Sequence, residues 1–89
     1  ELRNKSKKKM KYHTDIEYVE NNRDYSLEIS IDSDTKEGHF EHYAINGNYH
    51  VEGILEFSED FELDGYDGTY ELDKVILDII ENWGIKINL

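Results

Sequence analysis

From Tyr12 to Tyr18, and again from Tyr25 to Ile31, large apolar residues and threonine alternate with polar ones, and Asn21-Asn22 lies midway between the two runs. A period of two belongs to a strand with one buried face, and it excludes a helix over this part of the chain. Asparagine tolerates positive φ, so Asn21-Asn22 predicts a two-residue hairpin turn. That turn sets Tyr18 opposite Tyr25, Ile16 opposite Leu27 and Thr14 opposite Ile29, which places the apolar sets on one face. Glu20 and Arg23 then close the hairpin with opposite charges.

Asp34-Thr35-Lys36-Glu37-Gly38 reads as a loop, followed by a second hairpin, His39 to Ile45 and Tyr49 to Phe57, around Asn46-Gly47-Asn48. A turn at Asn46-Gly47 would oppose Glu41 to Glu52, and like charges directly opposite cost stability. A turn at Gly47-Asn48 opposes Tyr43 to Glu52 and Ala44 to Val51 instead, and is the expected register. Either way Phe40, His42 and Ala44 share a face with Tyr49, Val51, Gly53 and Leu55. Gly53 leaves a gap on that face, where a helix could approach closely.

Near the C-terminus the period changes. Leu72, Ile76, Ile79, Ile80 and Trp83 recur at helical spacing, with Asp73 as N-cap, Leu72 as staple and Asn82-Gly84 as stop. Residues 85–89 alternate and add a short strand or an ordered tail. The expected fold is α+β: an antiparallel four-stranded meander of two hairpins with one C-terminal helix packed on one face, ββββα. Residues 1–11 read as a disordered basic arm and 12–89 as a single acidic domain. With 89 residues and no cysteine, the core is one layer between sheet and helix, without disulfides or thiolate chemistry.

The charge is unevenly placed. Arg3, Lys5, Lys7, Lys8, Lys9 and Lys11 crowd the first twelve residues, whereas from residue 13 onward 20 acids stand against Arg23, Lys36, Lys74 and Lys86, a net of −16. A field of that sign repels nucleic acid and anionic membranes and steers toward basic protein surfaces. No membrane-spanning run or secretory signal pattern appears, so a soluble, cytoplasmic protein is expected.

If the helix covers one face, the other displays Asp15, Glu17, Glu28, Asp32, Glu41, Tyr43, Glu52 and Glu56, among His13, Ser26, Ser30, Ile45, His50 and Ile54. Carboxylates supply charge-assisted bonds to lysine and arginine, and tyrosine supplies rigid contact area. Asp60, Asp64 and Asp67, in the loop before the helix, extend that negative surface. No nucleophile motif, phosphate-binding glycine loop or cofactor signature is present, so an enzyme is not expected.

One stretch carries a sharper pattern. Asp60, Glu62, Asp64, Gly65 and Glu71 fall at positions 1, 3, 5, 6 and 12 of DFELDGYDGTYE. This stretch resembles the calcium loop of the EF-hand family, which implies carboxylate ligands at Asp60, Glu62, Asp64 and Glu71 and the Tyr66 carbonyl. It departs from the family at Glu62, at Asp67 in position 8, and in the strand-like segment that precedes it. The competing reading is two glycine turns, Asp64-Gly65 and Asp67-Gly68, with Phe61, Leu63, Tyr66 and Tyr70 packed below.

The functional expectation is a non-enzymatic acidic protein, without a cofactor, that blocks a basic, nucleic-acid-binding surface of a partner such as a nuclease. Two settings fit equally. One is a phage-type anti-defence inhibitor acting as a nucleic-acid mimic, in the manner of anti-CRISPR proteins. The other is an immunity protein or antitoxin for a nuclease toxin. A calcium-binding module is the remaining alternative.

Overall fold

The computed structural model describes residues 10–68 and 72–89. Five antiparallel strands form one sheet in sequential order: β1 (Lys11–Glu20), β2 (Arg23–Asp32), β3 (Glu37–Ala44), β4 (His50–Phe57) and β5 (Leu63–Gly68). A single described helix, α1 (Lys74–Asn82), follows. The α+β class and the helix agree with the sequence, but the meander has five strands where four were expected.

The first hairpin forms as its turn chemistry dictates. Asn21 and Asn22 have φ of 53° and 64°, and the register pairs Tyr18 with Tyr25, Ile16 with Leu27, Thr14 with Ile29 and Glu20 with Arg23. The first strand starts at Lys11, and Met10 already exchanges hydrogen bonds with Ser33. Residues 1–9, read as an arm, lie outside the described residues.

The second hairpin takes the other register. Glu41 pairs with Glu52, His42 with Val51 and Tyr43 with His50. Ala44 donates its N–H to Tyr49 and accepts from Gly47, so four residues, 45–48, close the hairpin without positive φ. What the charge argument left out is His50, whose Nε2 lies 2.9 Å from Glu41 Oε2 and offsets the like-charge pair. The two registers differ by two residues, so the face assignment survives. Glu37 and Gly38, expected in the loop, open β3 instead.

The fifth strand lies where a loop was expected. Gly65 and Gly68 are extended rather than turned, and Gly68 pairs with Gly53. The gap at Gly53 is therefore filled by the β5 backbone and by the ring of Phe40, not by the helix: a Cβ on Gly53 would sit 2.3 Å from the Asp67 carbonyl oxygen and 3.0 Å from Phe40. Asp60 lies in the turn between β4 and β5, where Ser58 bonds both Phe61 and Glu62. Asp64 lies at a bulge opposite Glu56 and Phe57. The calcium-loop stretch thus runs, over its described residues 60–68, as a turn and an edge strand. Its last residue, Glu71, and also Tyr70 lie outside the described residues.

Helix α1 closes the core. Ile76 and Ile80 are buried with Leu27, Ile29, Ile31, Phe40, Val51, Leu55, Phe57, Leu63 and Ile85. Burying each of those isoleucines contributes about 2 kcal/mol, which is what holds a nine-residue helix in place. Gly84, at φ 83°, ends the helix in a Schellman motif: its N–H bonds Glu81, and that of Ile85 bonds Ile80. Ile87 then bridges to Leu63 beside β5, the short strand contact expected of the tail. Tyr12 packs on Trp83 and Tyr18 lies at the Asp73 end, so the helix runs antiparallel to β1.

Candidate functional site

Strand alternation sends one set of residues away from the helix, and the registers arrange them in rows across the sheet. Asp15, Glu28, Glu41 and Glu52 are mutual neighbours on β1 to β4, a row of four carboxylates in register. A second row holds Lys11, Asp32, Glu37 and Glu56, four residues further along each strand. The two rows are therefore about 13 Å apart. Between them lie His13, Ser30, His39, Ile54 and Asp67. On the far side of the first row lie Glu17, Ser26, Tyr43 and His50.

All eight sheet residues anticipated for a binding face (Asp15, Glu17, Glu28, Asp32, Glu41, Tyr43, Glu52 and Glu56) thus share it. Asp67 joins them beside Ile54, whereas Asp60 and Asp64 sit at the turn and the bulge. Two acids were missed. Glu37, expected in a loop, completes the second row, and Asp24 extends the face at the hairpin end. Lys11 is the sole lysine or arginine among the strand positions of this face, and its Nζ is 3.9 Å from Asp32.

Two histidines contact side chains of this face. His50 bonds Glu41, while His13 bonds Ser30 at 2.8 Å and approaches Glu28 to 3.9 Å. Glu41, His50 and Glu52 bring donor atoms within 4.8 Å of one another, the described group that could hold a metal ion. Three large apolar side chains on strand positions stand exposed on the same surface, Tyr43 at 38 %, Ile54 at 42 % and Val19 at 68 %. Such a surface can bind cations and can desolvate an aromatic and an aliphatic anchor on contact.

The row carries a stability cost that can be measured. Glu28 has a carboxylate on each side, Asp15 and Glu41, and opposed like charges cost some tenths of a kcal/mol each. Glu28→Lys is expected to raise stability by about 0.5–1 kcal/mol, a melting temperature a few degrees higher. Added salt should raise the parent's melting temperature and affect the variant less. A lower melting temperature for the variant would show that the row is not repulsive.

The helix side holds a different cluster. His42 is only 1 % exposed, and its Nε2 lies 2.6 Å from the Tyr18 hydroxyl. Its Nδ1 is 3.4 Å from both the Tyr49 hydroxyl and Asp73 Oδ2. Asp73 occupies the N-cap position as expected, but its side chain makes no capping bond and turns to this cluster instead. Burial holds His42 below its ordinary 6.5, against the opposing pull of Asp73 and Glu20. Burial, with Asp73 and Glu20 adding to it, pushes Tyr18 up to about 12. These groups satisfy one another, which accounts for the histidine that the pattern placed among core residues.

Among the described residues no helix is long and apolar enough to cross a membrane. Compared with known protein families, with curated proteins and with solved structures, the chain matches none.

Proposed function

We propose that the chain is a non-enzymatic binding protein whose open sheet face covers a basic, nucleic-acid-binding surface on another protein. The supporting observation is the row Asp15–Glu28–Glu41–Glu52, four carboxylates held in register by four strands although their mutual repulsion opposes folding. The second row makes the charge two-dimensional. Arginines and lysines that would hold phosphates meet carboxylates instead, and the long-range field speeds encounter at low salt. Tyr43 and Ile54 supply the dry contacts that slow dissociation. The chain acts by occupying the site, as an anti-defence inhibitor does toward a host nuclease or an immunity protein toward a toxin; both settings require the same surface.

The test is retention of partners on the immobilised chain at low and high salt, with two variants beside the parent. Glu28→Lys, Glu41→Lys and Glu52→Lys together should cut retention at least tenfold. The corresponding triple glutamine variant should weaken retention while melting no lower than the parent, which separates loss of binding from loss of fold. A retained protein should lose its own nucleic-acid binding as the chain is added. Equal retention by the parent and the lysine variant would sink the reading.

A further inference from the structure

The two edges of the sheet are finished differently. At β5 the edge strand is short, a bulge at Glu56 and Phe57 interrupts its register with β4, and the tail covers its start, where Leu63 donates to Lys86 and accepts from Asn88. At β1 ten residues run in unbroken register with β2, without glycine, proline or bulge, and among the described residues no strand lies on the other side. Antiparallel pairs alternate between those that exchange backbone hydrogen bonds and those whose N–H and C=O point away. Met10 accepts the Ser33 N–H, so the even-numbered residues of β1 bond to β2. Lys11, His13, Asp15, Glu17 and Val19 therefore turn their backbone groups outward. The helix side of this strand is also incompletely covered: Ile16 is 36 % exposed, whereas Leu27 opposite it is fully buried.

We propose that this edge pairs with the same edge of a second copy of the chain, antiparallel about a two-fold axis at Thr14, so that one continuous sheet runs through both copies. The outward backbone groups restrict the register, because odd-numbered residues must face odd-numbered ones, and charge selects among the registers left. Centred on Thr14, Lys11 faces Glu17 of the other copy and His13 faces its Asp15, and the symmetry makes each pairing twice. Centring on Asp15 or Ile16 would oppose acids across the axis, and centring on His13 would oppose the two imidazoles. The Thr14 register also lays Tyr12 of one copy against Ile16 of the other, an aromatic–aliphatic pair that covers the exposed isoleucine. Its outward pairs exchange about eight backbone hydrogen bonds. Charged side chains and breaks are the usual protection of an edge. Here the breaks are absent and the charges match their own two-fold image. The axis is normal to the sheet, so both helices lie on one side and both acidic faces stay open on the other. The net charge of −11 on each copy opposes association, so added salt strengthens this pairing, the reverse of the salt dependence of a basic partner on the open face.

Because the chain has no cysteine, a single introduced thiol reports the register. Thr14→Cys places two thiols on the axis with Cα atoms about 4.5 Å apart, within disulfide reach. In Ile16→Cys the two Cα atoms are about 14 Å apart, out of reach. Under mild oxidation in 0.5 M salt, the full-length Thr14→Cys chain is expected to form a disulfide dimer at least tenfold faster than Ile16→Cys. Equal rates overturn the proposal. Sedimentation equilibrium of the parent gives the dimer constant without a cross-link. Lys11→Glu and Glu17→Lys should each weaken it about tenfold, although they change the net charge in opposite directions, and the two together should restore it. Asp15→Pro removes one outward N–H without touching a bond to β2 and should abolish the dimer while the monomer keeps its fold. Should that variant unfold, the charge exchange and its rescue decide alone. A dimer unchanged by all of these variants uses another surface and overturns the proposal. So does a parent that stays monomeric at 1 mM in 0.5 M salt. A monomeric parent that loses a retained protein on Asp15→Pro gives the edge to a foreign strand, and the proposal falls there too.

Discussion

Replacing Gly53 with alanine is expected to destabilise the protein by about 3 kcal/mol and to release β5 from the sheet. The added methyl would lie 2.3 Å from the Asp67 carbonyl oxygen and 3.0 Å from two ring carbons of Phe40. Neither neighbour can retreat cheaply. The carbonyl belongs to a paired strand backbone, and Phe40 is buried among Leu27, Ile29 and Val51 in the core cluster. The usual gain from a less flexible unfolded chain, at most about 1 kcal/mol, is too small to reverse the sign. Gly65→Ala is the control, since its methyl meets the mobile end of the Glu56 side chain at 3.1 Å. Urea unfolding should separate the two variants, and hydrogen exchange over residues 63–68 should quicken only in the first. Equal stability of the two would show that β5 does not pack against β4 at this pair. The effect reaches the candidate site, because the departing strand takes Asp67 with it.

The same glycines show why β5 was not legible in the sequence. Asp64-Gly65 and Asp67-Gly68 have the composition of turns, and turn chemistry is local. What requires small residues there is a long-range contact, with Phe40 lying across Gly53 and Gly68. The first hairpin was legible because its turn residues and its alternation specify the same register independently. The second was not, because opposed glutamates were weighed without His50, which lies one row away and bonds Glu41. The acidic face nevertheless emerged correctly, since strand parity alone assigns it and both candidate registers share that parity. Glu37 was lost from it through a loop boundary drawn two residues too late, before His39 instead of before Glu37. Asp73 illustrates the opposite case: its position was readable as a helix start, but the use of its carboxylate was not, because His42 comes from β3 and Tyr49 from just before β4, both distant in sequence.

That cluster yields a pH dependence with a definite sign. In the folded chain burial holds His42 below 6.5, whereas in the unfolded chain it titrates at its ordinary value. Above 6.5 neither state takes the proton, and its contribution to stability is complete. As the pH falls below 6.5 the unfolded chain protonates first, so stability is lost until the folded-state value is also passed. The groups facing the ring are Tyr18 from β1, Tyr25 from β2, Tyr49 before β4 and Asp73 before α1, with Glu20 contributing its charge. Tyr18 donates to Nε2, and Nδ1–H then points to Asp73, the tautomer assigned from these partners. His42→Ala should therefore cost about 2–4 kcal/mol, from the cavity and from the hydroxyl left without an acceptor. His42→Phe keeps the ring packing but removes the titration, so its melting temperature should lose the decline just below pH 6.5 that the parent shows. Asp73→Asn removes the charge that pulls the histidine upward and should move its NMR titration to lower pH still. A parent His42 titrating above 6.5 would mean that Asp73 outweighs burial, and the stability slope would then have the opposite sign.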